Sequence, residues 1–215
     1  EALIEAAGRG KQVVVLVELT ARFDEANNIE WARKLEDAGV HVAYGDATVK
    51  VHSKICLIVR EETDGVRLYG HIGTGNYNSR TARLYTDFGL FTSDPTICSD
   101  LVAVFNYLTG FGRQPETQDL IVAPRDLRRE IERRILRESE NASAGKPARI
   151  VFKMNALEDF EMCKLLYAAA QAGVKVDLII RGICRMRPGI AGLSENVRVV
   201  SVIGRFLEHS RVYYF

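Results

Sequence analysis

The chain has 215 residues, of which 47% are hydrophobic and 27% charged, and its formal net charge is only +1. These values are typical of a globular protein with one large domain or two small ones. No uninterrupted apolar run approaches the ~18 residues that a membrane helix needs, so the sequence excludes a membrane-spanning helix.

The chain opens in an acidic, helix-like segment rather than in a signal peptide, and its first residue is not methionine. We therefore expect it to be a piece of a longer protein. Its four cysteines form no Cys-x-x-Cys pair and lie mostly in apolar or helical runs, as buried free thiols do. This cysteine usage predicts the reducing cytoplasm as the compartment.

The first half of the chain alternates between helix and strand signals. Apolar periodicity, β-rich runs and glycine or proline breakers predict helices over 2–8, 24–38 and 94–108, and strands over 12–19, 40–44, 50–59, 66–72 and 87–92. A polar turn at 61–65 joins two of these strands into a hairpin. The glycine-rich segment 73–78 is predicted to be a loop.

The second half repeats the αβ pattern after a breaker cluster at 110–116. It predicts helices over 125–138 and 157–172, a loop over 139–147, strands over 149–153 and 174–180, and a β-like run over 206–215. We therefore predict an α/β fold of two similar domains, 1–115 and 116–215, with mixed β-sheets flanked by helices and a pseudo-twofold relation. The second domain is expected to be truncated at its C-terminus, because no counterpart of the 73–78 loop follows the second motif described below.

A short motif occurs twice, at a constant separation of 157 positions. His52-Ser53-Lys54 follows Val40-His41-Val42, and His209-Ser210-Arg211 follows Val197-Arg198-Val199 at the same distance. Because residues i and i+2 of a strand share a face, the histidine and the cation of each copy are predicted to point at one target. The pattern indicates a nucleophile beside a fixed positive charge.

Arginines accompany both copies of the motif. Arg22 lies 30 residues before His52, and Arg181 lies 28 residues before His209. This arrangement predicts a site that holds a phosphate between the two histidines. The segment 181–211 contains six arginines and only two acids. It is either a solvated basic face or a surface for bidentate phosphate recognition, and the exclusion of lysine favours the second interpretation.

The chain resembles the phospholipase D superfamily in His52, in the lysine two residues later and in Gly-Thr-Gly-Asn at 73–76. More specific motifs resemble those of bacterial polyphosphate kinase, of the type that phosphorylates its own histidine. These motifs are VKVHSK (49–54), HIGTGNYN (71–78), TARLYTD (81–87), IRGIC (180–184), RPG (187–189) and GRFLEHSR (204–211). The resemblance covers nearly the whole chain and corresponds to the two C-terminal catalytic domains of that enzyme.

The resemblance implies the reaction ATP + polyphosphate(n) ⇌ ADP + polyphosphate(n+1), with Mg²⁺ as cofactor. It implies that His52 takes the γ-phosphate of ATP and that His209 contacts the phosphates and acts as a general acid or base. Tyr85 and Arg181 match nucleotide-contacting positions, and Arg22 matches a position that the family associates with magnesium.

Side-chain chemistry adds further roles to these. Lys54 and Arg211 are expected to neutralise charge that develops on the transferred phosphoryl group. Asn76 can supply amide donors to the phosphates. Arg22 has no lone pair to offer a cation, so we expect it to bind the phosphate oxygens that Mg²⁺ also bridges.

The resemblance also bears on partners and location. It implies ATP, ADP and inorganic polyphosphate as partners, no nucleic acid, and a dimeric or tetrameric homo-oligomer at full length. It leaves open a peripheral association with the inner face of the membrane. The chain by itself is expected to be weak or inactive, because contacts to the nucleotide from the rest of the enzyme are missing.

Two other functions stay open from the residues. A phospholipase-D-type phosphodiesterase or nuclease would need an acid at position 59 and a lysine at position 211, where this chain has Val59 and Arg211. A non-catalytic module that binds polyanions is the alternative from another class, and it applies above all to the chain in isolation.

Overall fold

Helices and strands alternate along the chain in the computed structural model, which describes residues 1–18, 25–45, 50–110, 112 and 115–215. The helices are α1 (Ala2–Gly8), α2 (Glu25–Asp37), α3 (Pro95–Leu108), α4 (Leu127–Ser143) and α5 (Phe160–Gln171), with a 3-10 turn at Thr81–Arg83. The strands are β1 (Val14–Val17), β2 (His41–Tyr44), β3 (Lys54–Glu62), β4 (Gly65–Gly73), β5 (Tyr85–Thr86), β6 (Gly89–Thr92), β7 (Arg149–Met154), β8 (Lys175–Ile180), β9 (Val197–Val200), β10 (Leu207–Glu208) and β11 (Val212–Tyr214). The predicted mixed α/β class, with sheets flanked by helices, is confirmed.

The chain divides into two compact units. The first contains residues 1–53, 57–70 and 92–119, and the second contains residues 54–56, 71–91 and 120–215. The two predicted domains are contiguous in sequence, whereas the second unit includes two segments from the first half of the chain. The boundary at 115/116 and the pseudo-twofold relation stay predictions.

The second unit is built on a four-stranded sheet in the order β11-β7-β8-β9. Strands β7, β8 and β9 are parallel, and β11 joins the edge antiparallel to β7. Burial alternates along β8, so that Val176, Leu178 and Ile180 are almost fully buried on one face. Apolar residues of α4 and α5, among them Ile135 and Leu166, complete this core.

The first unit contains the parallel pair β1–β2, against which α2 packs through its buried residues Ala32 and Leu35. Helix α3 begins at Pro95 behind the N-cap Asp94, whose carboxylate accepts two backbone N–H groups. Its residue Leu101 lies so close to the backbone that a Cβ on Gly70 would stand 2.5 Å from Leu101 Cδ1. Strands β3, β4 and β6, whose residues are divided between the first and the second unit, form a three-stranded sheet in that order.

Helix α4 continues to Ser143, although the sequence predicts its end at residue 138. The polar residues after 138 predict a loop, but local hydrogen bonds accommodate them in the helix. Ser139 Oγ donates to the Ile135 carbonyl at 3.0 Å, and Asn141 Nδ2 donates to the Glu138 carboxylate at 3.3 Å. The helix ends where Gly145 adopts a positive φ of 70°.

Asp159 joins the N-terminus of α5 to α4. Its carboxylate accepts the Met162 backbone N–H at 2.9 Å and is held by Arg128 at 2.6 and 3.2 Å. The hydrogen bonds from Arg128 are the main cause that lowers the pKa of Asp159 from 3.8 to about 2.

This lowered pKa predicts an acid-dependent loss of stability. A depressed carboxylate pKa contributes stability above the unfolded value of 3.8, and that contribution disappears as the pH falls towards about 2. Asparagine is an equally good N-cap but does not titrate. Thermal denaturation of the wild type and Asp159→Asn should therefore show a stability difference that shrinks between about pH 4 and pH 2. A difference that is constant over this range would contradict the prediction.

Within the described residues, none of the helices combines the length and the apolar character that crossing a membrane requires.

Candidate active site

His209 lies between an aromatic ring and a carboxylate. The His209 and Tyr85 ring centroids are 4.9 Å apart, and the rings are tilted by 37°. His209 Nδ1 is 2.7 Å from Asp87 Oδ1, and the two side chains are only 10% and 20% exposed. Because a carboxylate only accepts hydrogen bonds, Nδ1 carries the proton in this contact. In a neutral ring the lone pair is then on Nε2, and this nitrogen can accept a proton from a substrate.

Asp87 is itself held in place by the glycine-rich loop. Thr74 Oγ1 donates to Asp87 Oδ1 at 2.7 Å, and the Phe88 backbone N–H donates to Thr74 Oγ1 at 2.9 Å. A Cβ on Gly75 would stand 2.8 Å from Asp87 Oδ2. The predicted loop at 73–78 therefore uses glycine to let its backbone approach the carboxylate.

His71 fixes the base of the same loop. Its Nδ1 is 2.6 Å from the Tyr77 hydroxyl, and its ring lies 4.5 Å from the ring of Phe91. A Cβ on Gly89 would stand 2.6 Å from His71 Nε2, so a side chain cannot be added there without displacing the ring.

Two arginines lie beside His209. Arg181 Nη1 donates to the Glu208 carbonyl oxygen at 3.2 Å, and Arg211 Nη1 donates to the His209 carbonyl oxygen. Burial and the positive charge of Arg181 lower the pKa of Arg211. In the part of the chain that the structure describes, neither guanidinium forms an ion pair with a carboxylate. Asp87 is the acid whose charge reaches Arg211, and it is already hydrogen-bonded to His209. Two partly buried like charges that form no salt bridge are the arrangement expected of an anion site.

The prediction that both histidines lie inside β-strands was wrong. Strand β3 begins only at Lys54, so His52 precedes it, and His209 lies between β10 and β11. The backbone N–H groups of His209 and Ser210 both donate to the Thr86 carbonyl, at 3.2 and 3.0 Å. Successive N–H groups of a strand point to opposite sides, so the chain must bend at this point. The shared-face argument therefore does not apply to either motif.

The predicted site residues are divided between the two units. Tyr85, Arg181, His209 and Arg211 come together in the second unit, as the preceding contacts show. His52 is exposed in the first unit, and Val51 next to it donates its N–H to the Glu18 carboxylate at 2.7 Å. Lys54, which is 8% exposed, and the exposed Asn76 belong to the second unit. Arg22 lies outside the described residues.

One member of the arginine-rich segment has a structural role instead. Arg198 Nε donates to Asp177 at 2.8 Å, and the same carboxylate binds Arg149 at 2.7 Å. These three residues link neighbouring strands of the four-stranded sheet. Arg181 and Arg205, in contrast, line a cavity of about 200 Å³ together with residues 202–204 and 206–208. The described part of the chain contains no cluster of three or more histidine, cysteine or acidic side chains that could hold a metal ion.

Sequence reasoning missed Asp87. The residue stands in the motif at 81–87, but no role was assigned to it. The one local signal was its place in that motif, two positions after Tyr85. The interpretation of Val59, which belongs to the motif of His52, stays a prediction, because the acidic partner found here is that of His209.

The mixed α/β fold, which here places two arginines beside a histidine that is hydrogen-bonded to an aspartate, is found in a class of phosphate-transferring enzymes. The crystal structure of polyphosphate kinase from Porphyromonas gingivalis superposes with a TM-score of 0.87 at 38% identity, over 99% of this chain and 35% of that one. Models of polyphosphate kinase C-terminal domain 1 and C-terminal domain 2 match residues 1–114 and 120–215. The chain belongs to the polyphosphate kinase family, as its motifs predict.

Curated relatives agree with this assignment along the entire chain. The polyphosphate kinases of Synechocystis sp., Streptomyces coelicolor and Neisseria meningitidis serogroup B are 58%, 54% and 53% identical to it, each over 100% of the chain. The chain spans 29%, 29% and 31% of the length of these three relatives.

Proposed function

We propose that the chain carries the phosphoryl-transfer centre of a polyphosphate kinase. The protein would transfer the γ-phosphate of ATP reversibly to inorganic polyphosphate through phosphorylated His52. Family membership supports this reaction. The observation that carries it at the level of the site is the pair Arg181 and Arg211 beside His209, which are two cations that form no salt bridge among the described residues.

The first half of the proposed reaction is attack by a ring nitrogen of His52 on the γ-phosphorus. A nitrogen–phosphorus bond forms, the bond from phosphorus to the bridging oxygen breaks, and ADP leaves with the electron pair. In the second half, a terminal oxygen of polyphosphate attacks the phosphohistidine, and the nitrogen recovers its lone pair. The exposed position of His52 is compatible with this role, because a nucleophile must be reached by both substrates.

His209 is proposed to contact the phosphates and to move a proton through Nε2. Its hydrogen bond to Asp87 supports this role, because it fixes both the tautomer and the orientation of the ring. Tyr85, whose ring lies against His209, is proposed to contact the nucleotide. Lys54, Arg211 and the amide of Asn76 are proposed to stabilise charge on the transferred group.

Mg²⁺ is proposed to be bound chiefly by the phosphate oxygens of the nucleotide, where it would neutralise charge. This mode is usual for Mg²⁺ in phosphoryl transfer, in which the protein supplies few direct ligands. Arg22 is proposed to hold phosphate oxygens, because a guanidinium has no lone pair for the cation. The homo-oligomer and the peripheral membrane association stay predictions.

The proposal is tested by incubating the protein with γ-labelled ATP and separating the labelled products. The assay should use the protein at the full length of its relatives and, in parallel, the 215-residue chain. Synthesis of labelled polyphosphate supports the kinase. Hydrolysis of bis-p-nitrophenyl phosphate without polymer synthesis would instead support the phosphodiesterase. Salt-sensitive binding of polyphosphate without either reaction would support the polyanion-binding module.

Arg181→Lys should be damaging although it keeps the positive charge. Lysine loses the planar fork, and hydrogen bonds to charged groups contribute roughly 1.5–3 kcal/mol each. We expect the kcat/KM for polymer synthesis in the full-length protein to fall about 10- to 100-fold. Arg33→Lys, at an exposed position of α2 outside the arginine-rich segment, is the matched control and should behave like the wild type. Wild-type kinetics in Arg181→Lys would show that Arg181 does not clamp phosphate.

A further inference from the structure

We propose that Glu208 is a positioning residue, which keeps His209 within hydrogen-bond reach of Asp87 through contacts with Thr86 and Lys153. The role of His209 in catalysis rests on the proposed function, whereas the positioning itself is a structural property that can be measured without activity.

Glu208 is bound from two sides. Lys153 Nζ is 2.7 Å from Glu208 Oε2, and the Thr86 hydroxyl donates to the same oxygen at 3.0 Å. The Lys153 and Glu208 side chains are only 16% and 22% exposed. The hydrogen bond from Lys153, followed by that from Thr86, lowers the pKa of Glu208. The carboxylate is therefore a fixed acceptor between two elements of the second unit.

The register of two short strands links this contact to His209. Strands β5 and β10 are parallel, with Leu207 opposite Tyr85 and Glu208 opposite Thr86. The next residues along the two chains, Asp87 and His209, also contact each other, at 2.7 Å. A slip of one residue in the pairing would break both contacts. The Thr86–Glu208 hydrogen bond therefore selects the register in which His209 meets Asp87.

This ribbon needs support from outside, because it pairs only two residues of each strand. Isolated two-stranded ribbons are marginally stable at best. Lys153 supplies the support from β7, which runs through the core of the four-stranded sheet next to the fully buried Phe152. The same ammonium group also donates to Ser210 Oγ. Lys153 thus holds the residues before and after His209 and ties both to a rigid sheet.

The contacts of Glu208 indicate that its side chain does not touch the reacting groups. Its backbone carbonyl accepts from Arg181 at 3.2 Å, while its side chain is directed to Lys153 and Thr86. The carboxylate that touches the imidazole is that of Asp87. Glu208 therefore acts on His209 through the backbone and the register, and its removal should slow catalysis more than it weakens nucleotide binding.

The test compares Glu208→Ala, Glu208→Gln and Thr86→Val in the full-length protein. Loss of the acceptor or of the hydroxyl donor should lower kcat for polymer synthesis about tenfold, while KM for ATP stays within about twofold. Glutamine keeps an oxygen that accepts from both partners, so Glu208→Gln should recover most of the rate. Glu195→Ala, which removes an exposed acid of the same unit, is the control and should match the wild type.

Crystal structures of the wild type and Glu208→Ala give the second readout. The distance from His209 Nδ1 to Asp87 Oδ1, 2.7 Å in the wild-type chain, should exceed hydrogen-bond length in the variant. An unchanged distance would overturn the proposal, as would unchanged kcat or a glutamine variant as slow as the alanine variant. If the wild type makes no polyphosphate, the proposed function fails, and the distance still decides whether Glu208 positions His209.

Discussion

His52→Ala in the full-length protein is expected to abolish both the phosphoenzyme and polymer synthesis. A phosphoramidate on histidine is labile in acid and stable in base, so label from γ-labelled ATP should be retained in base and lost in acid. Alanine offers no nucleophile in place of the imidazole. The measurement is the amount of base-stable label on the protein, together with the amount of polymer, in the wild type and the variant.

The chain offers a control for this experiment among its four histidines. His41 is exposed on β2 in the same unit as His52, and His41→Ala should keep both labelling and synthesis. Full labelling of His52→Ala would show that another residue carries the phosphoryl group. The assignment of the nucleophile would then be wrong even if the protein makes polyphosphate.

Asp87→Ala is expected to reduce the rate of polymer synthesis about a hundredfold. The variant leaves His209 Nδ1 without the acceptor at 2.7 Å, so neither the tautomer nor the ring orientation is fixed. It also removes the nearer acceptor of the Thr74 hydroxyl and leaves it only the Phe88 carbonyl at 3.4 Å, which loosens the glycine-rich loop. Steady-state kinetics should show the loss mainly in kcat, because Asp87 acts through its contacts with His209 and Thr74.

Asp64→Ala is the matched control for Asp87→Ala. Asp64 is an exposed acid in the turn between β3 and β4, where it pairs with Arg67 at 2.7 Å. Its removal should leave the kinetics unchanged. A rate within about threefold of the wild type in Asp87→Ala would mean that His209 does not depend on its carboxylate.

The two variants also separate two roles by their time courses. His52→Ala removes the atom that forms the covalent bond, so no labelling should develop at any time. Asp87→Ala leaves His52 in place, so labelling should be slow but should reach completion. Complete loss of labelling in Asp87→Ala would assign Asp87 a more direct part in the chemistry than positioning.

Local signals predicted much of the fold. The period of the apolar residues and the capping residues predicted α3 behind Asp94, β7 and β8, and the αβ alternation of both halves. These features depend on residues a few positions apart. The errors arose where hydrogen bonds override composition, as in the last turn of α4 and in the bend at His209 and Ser210. A sequence pattern that covers only a few neighbouring residues cannot predict that two successive N–H groups donate to the same carbonyl more than a hundred positions away.

The amino-acid sequence by itself determined the family, the α/β class and the residue types that suit phosphate chemistry. These properties follow from short sequence motifs and from the local pattern of apolar and polar residues. Only the tertiary structure decided that Asp87 is the partner of His209, and that Glu208 binds Thr86 and Lys153 beside it. The residues in the contacts of His209 with Asp87 and of Glu208 with Thr86 are separated by 122 positions. Such pairs depend on the register in which two short strands meet, and that register is set by packing and hydrogen bonds that no local signal encodes.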